Sequence, residues 1–190
     1  MTTLTEAYLE SLNAVIQGRG YSYALTTCVD TPIVEAEPNL DPEKDKRFRD
    51  FLFPDGRNGL WWIEDRIKSL FKGLYWKRMN RQTQLEYVIK ALKGAKEGRV
   101  YGWSYCSFLI SLFDPEEDLH TSRKPEVPCL VGLGFYPQED RLYLTATWRT
   151  QFIDTKAYGN LISLAMLLQQ SCEKTGFAPE SYSAQQTKQS

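Results

Sequence analysis

Apolar residues recur at Leu4, Tyr8, Leu9, Leu12, Val15 and Ile16, the spacing of a helix with one buried face, and predict a helix over 4–17. Thr3 or Thr5 offers a cap, and Gly18-Arg19-Gly20 a stop. Tyr21 to Ala36 is rich in Thr, Val, Tyr and Ile and reads as strand, with Pro32 at an edge or bulge. Residues 37–58 are charged and hold Pro38, Pro54 and Gly56, which suits a loop with at most one short helix. Helical spacing returns through Trp61, Ile63, Ile67, Leu70 and Phe71, closing at Gly73, and again over Gln84–Leu92, ended by Gly94. Val100–Leu112 reads as strand and Asp114–Glu126 as polar loop. Cys129–Tyr136 and Arg141–Trp148 predict two strands joined by the turn Pro137-Gln138-Glu139-Asp140. Asn160–Thr175 carries an apolar helical stripe of Leu161, Leu164, Ala165, Leu168 and Cys172.

Helices mixed with strands and a hairpin predict an α+β or mixed α/β fold. At 190 residues the chain suits one domain, placed over 1–182, with 183–190 a polar, frayed tail. Lys and Arg number 23 against 24 Asp and Glu, so no global basic field is available to hold a nucleic acid polymer. No apolar run is long enough for a bilayer, and no membrane partner is expected. Cys28, Cys106, Cys129 and Cys172 form no CxxC pair, and His120 is the one histidine, which argues against zinc. The N-terminus lacks the basic and apolar regions of a secretory signal, so a reducing cytoplasm with free thiols is expected.

The candidate chemistry lies between Val127 and Leu168. Cys129 opens one hairpin strand and Arg149 follows the other, and neighbouring strands lie about 5 Å apart. A thiol becomes a strong nucleophile as thiolate, which positive charge favours. The guanidinium fork of Arg149 also suits phosphate. Asn160, after Gly159 at a helix start, offers a donor and an acceptor that match the imide edge of uracil. Each residue also has a plainer role: Cys129 as a small core residue, Arg149 as a surface cation, Asn160 as a helix cap.

The segment Pro128-Cys129-Leu130, Trp148-Arg149-Thr150 and Asn160-Leu161 resembles the catalytic segment of the thymidylate synthase family, which includes pyrimidine hydroxymethylases. Leu74-Tyr75-Trp76-Lys77-Arg78 and the Gln84-Leu85 helix resemble that family's Tyr-Gly-x-Arg turn and Gln-Leu helix. Gly98-Arg99-Val100 resembles the site where one subunit lends an arginine to its neighbour's phosphate, and Asp114-Pro115 the loop before the cysteine. The resemblance implies a twisted mixed sheet packed with helices, with a sheet face used for homodimerisation. It implies a pyrimidine nucleoside monophosphate as substrate and 5,10-methylenetetrahydrofolate as cofactor. Cys129 would add to C6, Arg149 would hold phosphate and favour the thiolate, and Asn160 would read the base. Tyr75 and Thr150 would line the substrate pocket, and Arg99 would reach across a dimer. In that family an Asn at the Asn160 position goes with uracil and an Asp with cytosine.

The chain departs from the family at several positions. Phe152 stands where a folate-seating Asp is usual, with Asp154 two residues on, and Lys156 replaces a flanking glycine. Trp148 replaces a glutamine, and Leu130 a histidine. The family's water-organising glutamate has Glu35, Glu37 and Glu64 as candidates. The chain stops near where a ribose-binding His-x-Tyr segment would begin, and is read as a short, divergent member lacking that segment and the closing C-terminal peptide. Two alternatives follow: a catalytically degenerate nucleotide-binding or accessory protein, and an assembly protein with Trp61, Trp62, Trp76 and Trp103 as interface anchors.

Overall fold

In the computed structural model, the structure describes residues 2–18, 25–30, 74–99, 108–119 and 127–186. The strand expected from Tyr21 to Ala36 falls only partly within these ranges. The loop over 37–58, the helix over 60–73, the strand over 100–107 and residues 120–126 lie outside them. So do Glu35, Glu37, Glu64, Trp61, Trp62, Trp103, Cys106 and His120.

Helix α1 (Leu4–Gln17) begins at a capping box: the Thr3 hydroxyl accepts the Glu6 N–H, and the Glu6 carboxylate accepts the Thr3 N–H. Strand β1 (Leu25–Val29) follows. Helix α2 (Leu74–Met79) stands where a turn was expected, and a 3₁₀ turn (Arg81–Thr83) leads into α3 (Gln84–Lys96). Gly94 does not end α3. A mid-helix glycine costs about 1 kcal/mol, and the buried Leu85, Val88 and Leu92 outweigh it. Strand β2 is short (Leu109–Ser111). The expected polar loop after it contains helix α4 (Pro115–Asp118), capped by the Asp114 carboxylate on the Glu116 N–H.

The expected hairpin is present as β3 (Leu130–Gln138) and β4 (Arg141–Trp148). Its turn tightens to Glu139-Asp140, with Glu139 at φ 53°. A π-helical turn (Ile153–Ala157) enters α5 (Tyr158–Thr175), which stops at Gly176 with φ 82°. Strand β5 (Ala178–Gln186) follows. Ser183 to Gln186, read from composition as frayed tail, are therefore strand.

The five strands form one mixed sheet in the order β1-β5-β4-β3-β2, with β4 and β5 parallel and the other pairs antiparallel. The fold class is α+β. Along β4, Leu142, Leu144, Ala146 and Trp148 are buried while Tyr143, Thr145 and Thr147 on the other face are half-buried. The buried face packs on α5, which also meets α1 and α3. That central position leaves α5 buried nearly all round, with Leu164, Ala165 and Leu168 fully buried and Ser163, Gln170, Ser171 and Thr175 buried as well. Trp76 is half-buried against this core, not an exposed anchor. No described helix is long and apolar enough to cross a membrane.

Candidate active site

The hairpin sets Cys129 and Arg149 opposite each other. Leu130 pairs with Trp148, and the Arg149 N–H donates to the Cys129 carbonyl at 3.0 Å, extending the ladder one step. The Arg149 side chain folds back over the same chain. Its Nε donates to the Pro128 carbonyl at 3.0 Å and one Nη to the Val127 carbonyl at 3.4 Å. One edge of the guanidinium is thus bound to the backbone that carries the cysteine.

Tyr75 completes the cluster from α2. It packs half-buried against the core, as does Cys129, and its Oη accepts the Leu130 N–H at 3.5 Å. Its phenol is pushed above the ordinary tyrosine range, first by burial and then by negative charge on the neighbouring Cys129. The N–H groups of Leu130 and Cys129 and the positive charge of Arg149 oppose that shift. Tyr75, Cys129 and Arg149 therefore share one electrostatic neighbourhood, at the end of the hairpin away from its turn. Cys129 is a free thiol, partly accessible, whereas burial and then Glu173 push the Cys172 thiol up to about 12.

The remaining expected residues are placed less closely. Thr150 is half-buried, and its hydroxyl donates to the Arg149 carbonyl at 2.8 Å. Asn160 is half-buried in the first turn of α5, within the helix and not at its cap, which is Ala157. Arg99 is elsewhere in the chain. It is exposed, paired with Glu97, and follows the last turn of α3, where Lys96 bonds Asp140 of the hairpin turn at 2.6 Å. The nine residues of β3 separate that turn from Cys129, roughly 30 Å at strand rise. Within one chain Arg99 does not join the cluster.

Sequence alone did not point to a second cluster beside the first. Arg78, on α2, makes a buried two-pronged ion pair with Asp118, at 2.7 and 2.8 Å. Around it, Arg81 bonds Asp114 and Glu117. The Gln84 amide clamps both backbone groups of Ser111, at 2.9 and 3.1 Å. The available signal was Asp114-Pro115-Glu116-Glu117, an N-cap, an N1 proline and an acidic first turn.

Two known proteins are similar to this chain. It is 30% identical over 93 residues to a protein named "Putative thymidylate synthase" from Methanothermobacter marburgensis, and equally to one of the same name from Methanothermobacter thermautotrophicus. The likeness is thymidylate synthase-like. It covers 49% of this chain and 37% of each relative's length. No family model matches the chain.

Ahead of α5, Phe152 is 42% exposed and the Lys156 ammonium lies 5.3 Å from its ring centroid.

Proposed function

We propose that this chain binds a pyrimidine nucleoside monophosphate and transfers a one-carbon unit to its C5, as methyl or hydroxymethyl. The observation that carries the reading is the convergence of Cys129, Arg149 and Tyr75 at one end of the hairpin. The Cys129 thiolate adds to C6, forming an S–C6 bond, and the C5=C6 electron pair moves to an enolate over C5 and O4. Arg149, beside Cys129 on the hairpin, meets the phosphate with its guanidinium. Asn160 reads the imide edge of the base, and Tyr75 and Thr150 line the pocket. Phe152 and Lys156 would hold 5,10-methylenetetrahydrofolate, which when bound supplies the one-carbon unit.

The protein acts in the cytoplasm as a homodimer built on the outer sheet face, where Leu109 and Tyr136 are exposed. Arg99 then serves the partner's phosphate. Subunit mixing tests this: Arg99→Ala and Cys129→Ala chains, each inactive alone, should recover activity together if the arginine is shared.

The deciding experiment uses dUMP labelled with tritium at C5, with and without methylenetetrahydrofolate. Tritium release that disappears in Cys129→Ala supports the reading. Absence of release from the unmodified protein overturns it.

A second reading, nucleotide binding without chemistry, is favoured if the aromatic Phe152 does not replace the folate-seating carboxylate that the resemblance implies at its position. Titration calorimetry with dUMP, UMP, dCMP and CMP separates the two: binding without tritium release selects the second.

A further inference from the structure

We propose that the buried Arg78–Asp118 pair is a positioning device for the Cys129 site, fixing the Tyr75 hydroxyl against the strand that Cys129 opens. The inference takes from the functional reading only that Cys129 is the reactive group. It needs neither nucleotide nor folate to be tested.

Tyr75 and Arg78 lie one turn apart on α2, a helix of six residues. So short a helix has little stability of its own, so its placement must come from tertiary contacts. Arg78 supplies them. Its Nη1 donates to the Leu112 carbonyl at 2.8 Å and to Asp118 Oδ2 at 2.7 Å, while Nη2 donates to Oδ1 at 2.8 Å. The two side chains are 6% and 2% exposed. Asp118 Oδ2 also accepts the Asp114 N–H at 2.8 Å.

From Leu112 the connection runs on to the cysteine strand. The N–H groups of Leu112 and Phe113 both donate to the Val131 carbonyl, at 2.9 and 3.3 Å. Val131 adjoins Leu130, whose N–H reaches Tyr75 Oη at 3.5 Å. Tyr75, Arg78, Leu112, Val131 and Leu130 therefore form a closed circuit around the head of β3. A buried guanidinium is tolerated only when its donors are met in a fixed geometry, so rotation of α2 away from the strand would break the pair. Lysine could keep the charge but not the two-pronged contact.

The test is alkylation by iodoacetamide at pH 7, on the full chain, read separately at each cysteine by mass spectrometry. Exposed Cys28 reports reagent strength and buried Cys172 reports fold integrity. Tyr75→Phe should slow alkylation of Cys129 about fivefold, as for loss of the hydrogen bond, from the Leu130 N–H, that ties α2 to the head of the cysteine strand. Arg78→Lys and Asp118→Asn should each slow it at least about twofold. Neither should have further effect in the Tyr75→Phe background, with Cys28 and Cys172 unchanged throughout. Asp118→Asn keeps the shape of the side chain, so it carries the test if Arg78→Lys does not fold.

The proposal is overturned if Cys129 reacts at the unmodified rate in these variants. It is also overturned if the effect persists without the Tyr75 hydroxyl, or if Cys172 becomes labelled in step with Cys129. A protein inert toward dUMP that still shows the coupled pattern would refute the catalytic reading and leave this one standing.

Discussion

Replacing Asp118 with alanine should destabilise the fold by about 3–5 kcal/mol, the usual result of stranding a buried charge. The structure sets the magnitude. Arg78 has three side-chain bonds, two to Asp118 and one to the Leu112 carbonyl, and its side chain is 6% exposed. Without the carboxylate it keeps the Leu112 bond and the largely solvent-screened Glu117 carboxylate at 3.6 Å, while the Asp114 N–H loses its acceptor. The outer pairs of Arg81 with Asp114 and Glu117 involve side chains 26%, 28% and 57% exposed, so solvent screens them and Arg81→Ala should cost at most about 1 kcal/mol. Removing both inner charges, as Arg78→Met with Asp118→Leu, should restore stability to within about 2 kcal/mol of the original. Urea unfolding at pH 7, followed by tryptophan fluorescence and far-ultraviolet circular dichroism, measures all three.

The acid dependence gives an independent check. Burial alone would raise the Asp118 carboxyl, but the Arg78 bonds, the Asp114 N–H and the charges of Arg78 and Arg81 together hold it below the ordinary aspartate range. A lowered folded-state value means the stabilisation is complete above the unfolded value and is lost as pH falls through the folded one. The deficit of Asp118→Ala should therefore shrink only in strong acid. A cost below 1 kcal/mol, or a double variant as unstable as the single, would refute the reasoning.

Other outcomes follow from single features. Cys172 should resist alkylation at neutral pH, because burial and Glu173 raise its thiol to about 12; site-resolved labelling against Cys28 checks this. Thr3→Ala should cost about 1 kcal/mol of stability through the lost capping box, measured by thermal or urea unfolding. Gly176→Ala should cost about 1 kcal/mol or more although the nearest atom is 3.9 Å away, since φ is +82° there; the same unfolding assay applies. On the proposed function, Asn160→Asp should shift nucleotide preference from dUMP toward dCMP, and unchanged calorimetric affinities for both would count against Asn160 as the base reader.

Elements whose buried face repeats locally were legible in the chain. The α1 stripe was legible through Leu4, Tyr8 and Val15, which are buried, although Leu9 and Ile16, expected on the same face, are exposed and the small Ala7 and Ser11 are buried there too; the hairpin was marked by alternation through Leu142, Leu144 and Ala146. Strand β5 was not legible because Ala-Pro-Glu-Ser-Tyr-Ser-Ala-Gln-Gln has little strand propensity. Pairing with β1 on one side and β4 on the other makes it a strand. The opposition of Cys129 and Arg149 followed from hairpin register. The Arg78–Asp118 pair did not, since its partners are forty positions apart and only the folded chain brings them together. The docking of the end of α3, three residues before Arg99, on the hairpin turn through Lys96 and Asp140 was equally hidden, because it depends on how α3 packs.

Strand β5, last of the described strands along the chain, lies between β1, the first, and β4. As the polypeptide leaves the ribosome, the β3–β4 hairpin can zip up by itself, but β1 has no described sheet neighbour until β5 emerges. Vectorial synthesis therefore delays pairing of β1 with the rest of the sheet until β5 has emerged. A stalled or prematurely terminated chain would expose an unsatisfied strand edge on each side of the gap, the kind of surface that chaperones cover and aggregates exploit.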